Sequence, residues 1–128
     1  MPVEAVRDLT AGGAEVAFEA VGLPELMETA MAATRRGGVT VLVGVAPEGA
    51  TARFDAQVLV QQDKTIRGCI YGSGQPARDI PWLLRLFTPG RLRLEELVSR
   101  QRPLGEINAA IADMRTGTVA RVVVDRQG

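Results

Sequence analysis

Histidine is absent from these 128 residues, and cysteine occurs once, at position 69. Without imidazole, neither Ser-His-Asp nor Cys-His catalysis can be built from them, nor can a zinc site that uses histidine. A lone cysteine closes no internal disulfide, which accords with a reducing, cytoplasmic setting. Aromatic side chains make up only 4% of the sequence, so aliphatic residues must do most of the packing. Charge of one sign is missing too: fifteen basic and fifteen acidic residues cancel and are spread along the chain. With no basic block to neutralise phosphates in series, nucleic acid is not an expected partner. No apolar run is long enough to cross a bilayer, and the N-terminus carries no signal-peptide pattern, so no membrane partner is expected either. The length and an apolar share of 46% suit a single domain with a real core.

What is present centres on residues 15–45. Val16, Ala17, Phe18, Ala20 and Val21 form a nearly continuous apolar run, the pattern of a strand buried on both faces. Leu23, Leu26, Met27, Ala30 and Met31 then recur at helical spacing. Pro24 suits the first turn of that helix, with Glu25 and Glu28 near its positive end and Arg35 and Arg36 near its negative end. Gly37 and Gly38 stop it, and residues 39–45 read as a second buried strand. A strand, a helix and a strand in this order make a right-handed βαβ crossover with parallel strands.

The flanks continue the alternation. Val3, Val6 and Leu9 mark the end of a helix before the unit, and Pro47 and Gly49 mark a loop after it. Gly44 and Gly49 have the spacing of a phosphate-binding loop, but Ala50 stands where its lysine is needed, so that reading fails. Residues 53–63 suggest a short strand and a helical turn, and residues 65–71 a third strand. Pro76 marks a loop, after which Asp79 caps a helix with Pro81 in its first turn. Residues 94–98 read as a helical turn, 105–116 as an amphipathic helix, and 119–125 as a last strand. A receiver-like domain would need clustered aspartates and a lysine on a later strand, whereas the only lysine, Lys64, precedes one.

Five stretches taken together carry a resemblance: residues 17–22 (AFEAVG), 41–47 (VLVGVAP), 66–73 (IRGCIYGS), 78–100 and 107–124 (INAAIADMRTGTVARVVV). In this order and spacing they resemble the C-terminal part of the zinc-dependent medium-chain alcohol dehydrogenases. The resemblance implies an α/β fold: a partial Rossmann, the C-terminal half of a doubly wound parallel sheet, with helices on its faces and a C-terminal return segment. It implies strands four to six of the family's sheet, with the G-x-G-x-x-G fingerprint, the ribose-binding acid and the catalytic zinc domain all absent from these residues. The family transfers a hydride between an alcohol and NAD or NADP. By that likeness the chain is the cofactor-binding and dimerisation part of such an enzyme, inactive by itself. Zinc would belong only to the missing domain. The other reading is a stand-alone dimerisation or interaction module without catalysis.

Candidate site residues follow from the same likeness. Ala20, Val21 and Gly22 end the first strand, Val43, Gly44 and Val45 the second, and Cys69, Ile70 and Tyr71 the third. Positions matching these line the nicotinamide end of the family's cofactor; as plain residues they are equally strand-end packing. Arg121 matches an arginine that reaches the cofactor pyrophosphate, and otherwise reads as a solvated edge residue. Cys69, with no histidine to lower its pKa, reads as a structural thiol. Glu19 reads as a strand-end polar contact. The expected partner is a second copy of the chain, through the segment from Arg53 to Tyr71, where Phe54, Val58, Leu59, Val60 and Ile66 offer apolar surface.

Overall fold

The structure is a computed structural model, and it describes residues 2–126. Its contacts divide into two units, residues 1–74 and residues 75–128. The sequence reading takes the whole as one domain ending in a return segment; that segment forms the second unit.

In the first unit, α1 (Pro2–Leu9) precedes β1 (Ala14–Glu19), α2 (Pro24–Ala33), β2 (Thr34–Leu42), α3 (Ala56–Gln61) and β3 (Thr65–Gly68). The three strands make one parallel sheet in the order β1-β2-β3, the βαβ arrangement that the alternation of patterns predicts. Pro24 opens α2 and Glu25 lies in its first turn, as expected. The helix ends sooner than the arginines suggest. It stops at Ala33, and Thr34 already pairs with Ala14. The register then slips, Val16 pairing with Val39, so residues 35–38 form an irregularity inside β2 and not the last turn of α2. The negative end of α2 is served from elsewhere. Arg7 donates to the Ala32 carbonyl at 2.9 Å, and the buried Lys64 amine donates to the Met31 carbonyl at 3.0 Å. Below this end, the hydroxyls of Thr34 and Thr40 pair at 2.9 Å in the interior.

β1 is not buried on both faces. Val16 and Phe18 are 46% and 70% exposed, alternating with half-buried Ala17 and buried Glu19. The period is two, with α2 packed on one face. Residues 53–55 are not a strand; Asp55 caps α3 instead, accepting from Gln57 N at 2.9 Å and Val58 N at 3.1 Å. β3 is the outer strand on its side. Cys69 N donates to the Leu42 carbonyl at 2.9 Å. By the alternation of a strand, the N–H groups of Thr65 and Arg67 also face β2, while those of Ile66 and Gly68 face away from the sheet.

In the second unit, α4 (Pro76–Phe87) starts at Pro76 itself, where a missing N–H costs nothing, so this proline begins a helix and not a loop. Asp79 caps it from inside, its carboxylate accepting from Gln75 N at 2.7 Å. β4 (Arg100–Pro103) pairs in parallel with β5 (Val122–Asp125), and α5 (Ile107–Arg115) lies between them in sequence. β4 escapes sequence reading, since an Arg-Gln-Arg-Pro strand has no apolar alternation. Arg102 binds Asp113 at 2.7 Å and Glu106 at 2.6 Å, and Arg100 binds Asp113 at 2.7 Å, which ties α5 to β4. Among the described residues, no helix is long and apolar enough to cross a membrane.

Candidate cofactor-binding site

Parallel strands all leave a sheet by the same edge, so the turns after β1, β2 and β3 are neighbours there. Residues 20–22, 43–45 and 69–71 therefore stand at one edge, each just past the strand it was expected to end. Val21, Val45, Ile70 and Tyr71 are exposed, Tyr71 by 85%, and Cys69 is partly buried. Tyr71 has φ 47°, which turns the chain out of β3 into a short 3-10 turn at residues 71–73. Between the second and third turns lies an open hollow of about 590 Å³, lined by Val43, Gly44, Val45, Cys69, Ile70 and Ser73 among others.

The first two turns touch. Gly22, at φ 90°, leaves so little room that a Cβ would stand 2.5 Å from the Val45 carbonyl oxygen. A Cβ on Gly44 would lie 2.1 Å from Gly22 N and 2.7 Å from Glu19 Oε2. Both positions thus require glycine because the chain packs on itself, a cause separate from any close approach by a ligand. Glu19 makes the connection: its Oε1 accepts from Val21 N and Gly22 N, each at 2.8 Å, and its carbonyl accepts from Val43 N and Gly44 N.

Arg121 lies in the second unit. It immediately precedes β5, and its carbonyl accepts from Ser99 N at 2.9 Å and Arg100 N at 3.3 Å. Its side chain is exposed and, among the described residues, carries no hydrogen bond or ion pair. Charged groups elsewhere are shifted, among them two carboxylates and a lysine. The Arg78 guanidinium, then the Gln75 N–H, hold the Asp79 carboxyl below its ordinary range. Arg102 does the same for Asp113. Burial, and then the charge of Arg7, push the Lys64 amine down.

A parallel sheet whose exits form one edge, braced by a glycine-to-glycine contact, is an α/β arrangement of the doubly wound, Rossmann kind. The model of the zinc-binding dehydrogenase family matches residues 1–88, and the chain belongs to that family. It is 35% identical over 123 residues to the NDMA-dependent alcohol dehydrogenase of Amycolatopsis methanolica, covering 93% of this chain and 33% of the relative. It is 30% identical over 124 residues to the S-(hydroxymethyl)glutathione dehydrogenase of Candida maltosa, covering 96% and 32%. The crystal structure of benzyl alcohol dehydrogenase from Acinetobacter calcoaceticus superposes with a TM-score of 0.85 at 37% identity, over 96% of this chain and 34% of that one. The chain thus spans about a third of the length of its relatives.

Among the described residues, no group of three or more His, Cys, Asp or Glu side chains stands close enough to hold a metal ion. They do not fit a zinc centre. They do fit one end of a dinucleotide: a shallow hollow, an aliphatic wall and main-chain groups at a sheet's carboxyl edge are what a flat aromatic ring with an amide requires.

Proposed function

We propose that these residues hold the nicotinamide end of NAD or NADP in an alcohol dehydrogenase, and that they pair two copies of the enzyme. The carrying observation is the convergence of the three turns on one edge, with the hollow between residues 43–45 and 69–71. When bound, the nicotinamide would supply the hydride acceptor. The work of this chain is binding and orientation. Val21, Val43, Val45, Ile70 and Tyr71 wall the ring, and main-chain carbonyls of residues 43–45 and 69–71 with the N–H groups of Val45, Ile70 and Tyr71 fix its amide. The short side chains of Ala20, Gly22 and Gly44 keep the turns close, and Cys69 packs beneath them. Arg121, in the second unit, is assigned to a pyrophosphate oxygen by the family likeness alone, a role that suits its two-pronged donor face. Binding here is weak by itself, because the pyrophosphate-cradling loop of such folds lies in the part of the family's sheet that these residues do not include.

The intact polypeptide tests the reading. It should reduce NAD or NADP in the presence of a primary alcohol, and Arg121→Ala should weaken the dinucleotide by roughly tenfold, the worth of one charge-assisted pair. Unchanged affinity in that variant, measured by calorimetry, would remove Arg121 from the site. A second reading, assembly without catalysis, is favoured by the apolar surface around β3, where Phe54 and Val60 are exposed. The two readings separate on whether the intact polypeptide binds any dinucleotide.

A further inference from the structure

Among the described residues, one buried side-chain polar atom has no partner: Oε2 of Glu19. The residue is only 4% exposed, so the oxygen is shut away from bulk water. Its sister atom Oε1 carries the N–H groups of Val21 and Gly22, and the Glu19 carbonyl carries those of Val43, at 2.7 Å, and Gly44, at 3.0 Å. One residue therefore ties two of the three turns of the candidate site to each other, at the point where Gly22 and Gly44 meet. Building on the dinucleotide reading above, we propose that Glu19 is a positioning residue for the nicotinamide end of the cofactor. It fixes the separation of residues 20–22 from residues 43–45 through Oε1 and its own carbonyl, and it leaves no room for N–H donors in the place of Oε2.

The chemistry of the pocket explains the second requirement. Glutamine would keep the acceptor for Val21 and Gly22, but its amide nitrogen would take the place of Oε2. Two new N–H donors would then crowd against Gly44 and the Gly22 N–H, in the place where an unpartnered acceptor now sits. The turns would have to part slightly to let water in. A fold tolerates such a shift more easily than a ring-binding slot does, since a slot depends on fractions of an ångström.

The experiment uses the intact polypeptide, with and without Glu19→Gln. Calorimetry compares NAD, or NADP if that is what binds, with the matching ADP-ribose, which lacks the nicotinamide ring. Thermal melting is followed alongside. The expected result is cooperative melting within a few degrees of the unaltered protein, unchanged ADP-ribose affinity, and nicotinamide dinucleotide held about tenfold more weakly. Equal weakening of both ligands, weakening of neither, or loss of cooperative melting would each overturn the proposal, because Glu19 would then serve folding alone or nothing. If the unaltered protein binds neither ligand, the dinucleotide reading itself fails.

Discussion

Gly44 looks replaceable in the sequence, a small residue in a run of valines. In the fold, a methyl group there would sit 2.1 Å from Gly22 N and 2.6 Å from Gly22 Cα, both main-chain atoms that cannot swing aside. Overpacking of this kind costs about 1–3 kcal/mol, and a backbone neighbour puts it at the upper end. Gly44→Ala should therefore lower the stability of the intact polypeptide by about 3 kcal/mol in urea unfolding. Gly68→Ala, with nothing within 4 Å, serves as the control and should be nearly silent. A Gly44→Ala protein as stable as that control would contradict the contact. Lys64 makes the opposite kind of prediction, one of pH. Its folded pKa lies below the ordinary 10.5 through burial and then Arg7, so burial disfavours its charged form. Below the folded pKa the penalty is constant. Between the folded value and 10.5 the unfolded chain holds more protons, and stability rises with pH. Lys64→Met should abolish that alkaline rise, read as the difference between the two proteins' unfolding midpoints from neutral pH upwards. A rise of the same size in both would assign it to other groups.

Elements divide by how their information is carried. The βαβ order was legible because periods of two and 3.6 residues alternate, and Pro24 marks the first helix plainly. The three candidate turns were locatable because they follow directly from strand ends. What escaped depended on distant partners. Arg35 and Arg36 looked like the basic end of α2, but that end is capped by Arg7 and Lys64, from two other parts of the chain. Residues 35–38 lie within β2 as an irregularity, flanked by the pairing of Thr34 with Ala14 before them and of Val39 with Val16 after them. β4 escaped because its stability comes from Arg100 and Arg102 gripping Asp113 on α5, an interaction with no trace in hydrophobic pattern. Pro76 misled by its ambiguity, since a loop and a helix start both welcome proline. Asp55 caps α3 but sits among residues that alternate like a strand, whereas Asp79, expected to open its helix with Pro81 in the first turn, lies within α4, whose N-cap is Gln75, and Pro81 lies inside the helix.

The whole molecule exposes 9895 Å². Two separate compact globules of the sizes of these units would expose roughly 7,900 Å² between them, by the usual scaling of surface with mass. The excess is apolar in part: Met31, Ala33 and Ala110 are the only buried hydrophobic residues described, while Phe18, Val21, Val60, Ile70 and Leu84 stand open. A polypeptide of these 128 residues alone should therefore self-associate and bind a hydrophobic dye, and the proposed route in solution is pairing of two copies at β3. The direction of the strand's N–H groups decides how to test that route. Thr65 faces inward to β2, so Thr65→Pro would break the sheet itself and say nothing about assembly. Gly68 faces outward with open space around it, so Gly68→Pro removes an edge donor and spares the β2–β3 ladder. Two-fold symmetry removes that donor twice, about 1–3 kcal/mol in total, or roughly a factor of 5–150 in the dimer dissociation constant. Light scattering over a concentration series should show Gly68→Pro shifting towards monomer with its circular dichroism unchanged. If instead the folded Gly68→Pro protein keeps the unaltered dissociation constant, the pairing does not run through β3, and the bare edge and outer face of β1, carrying Val16 and Phe18, becomes the surface to examine.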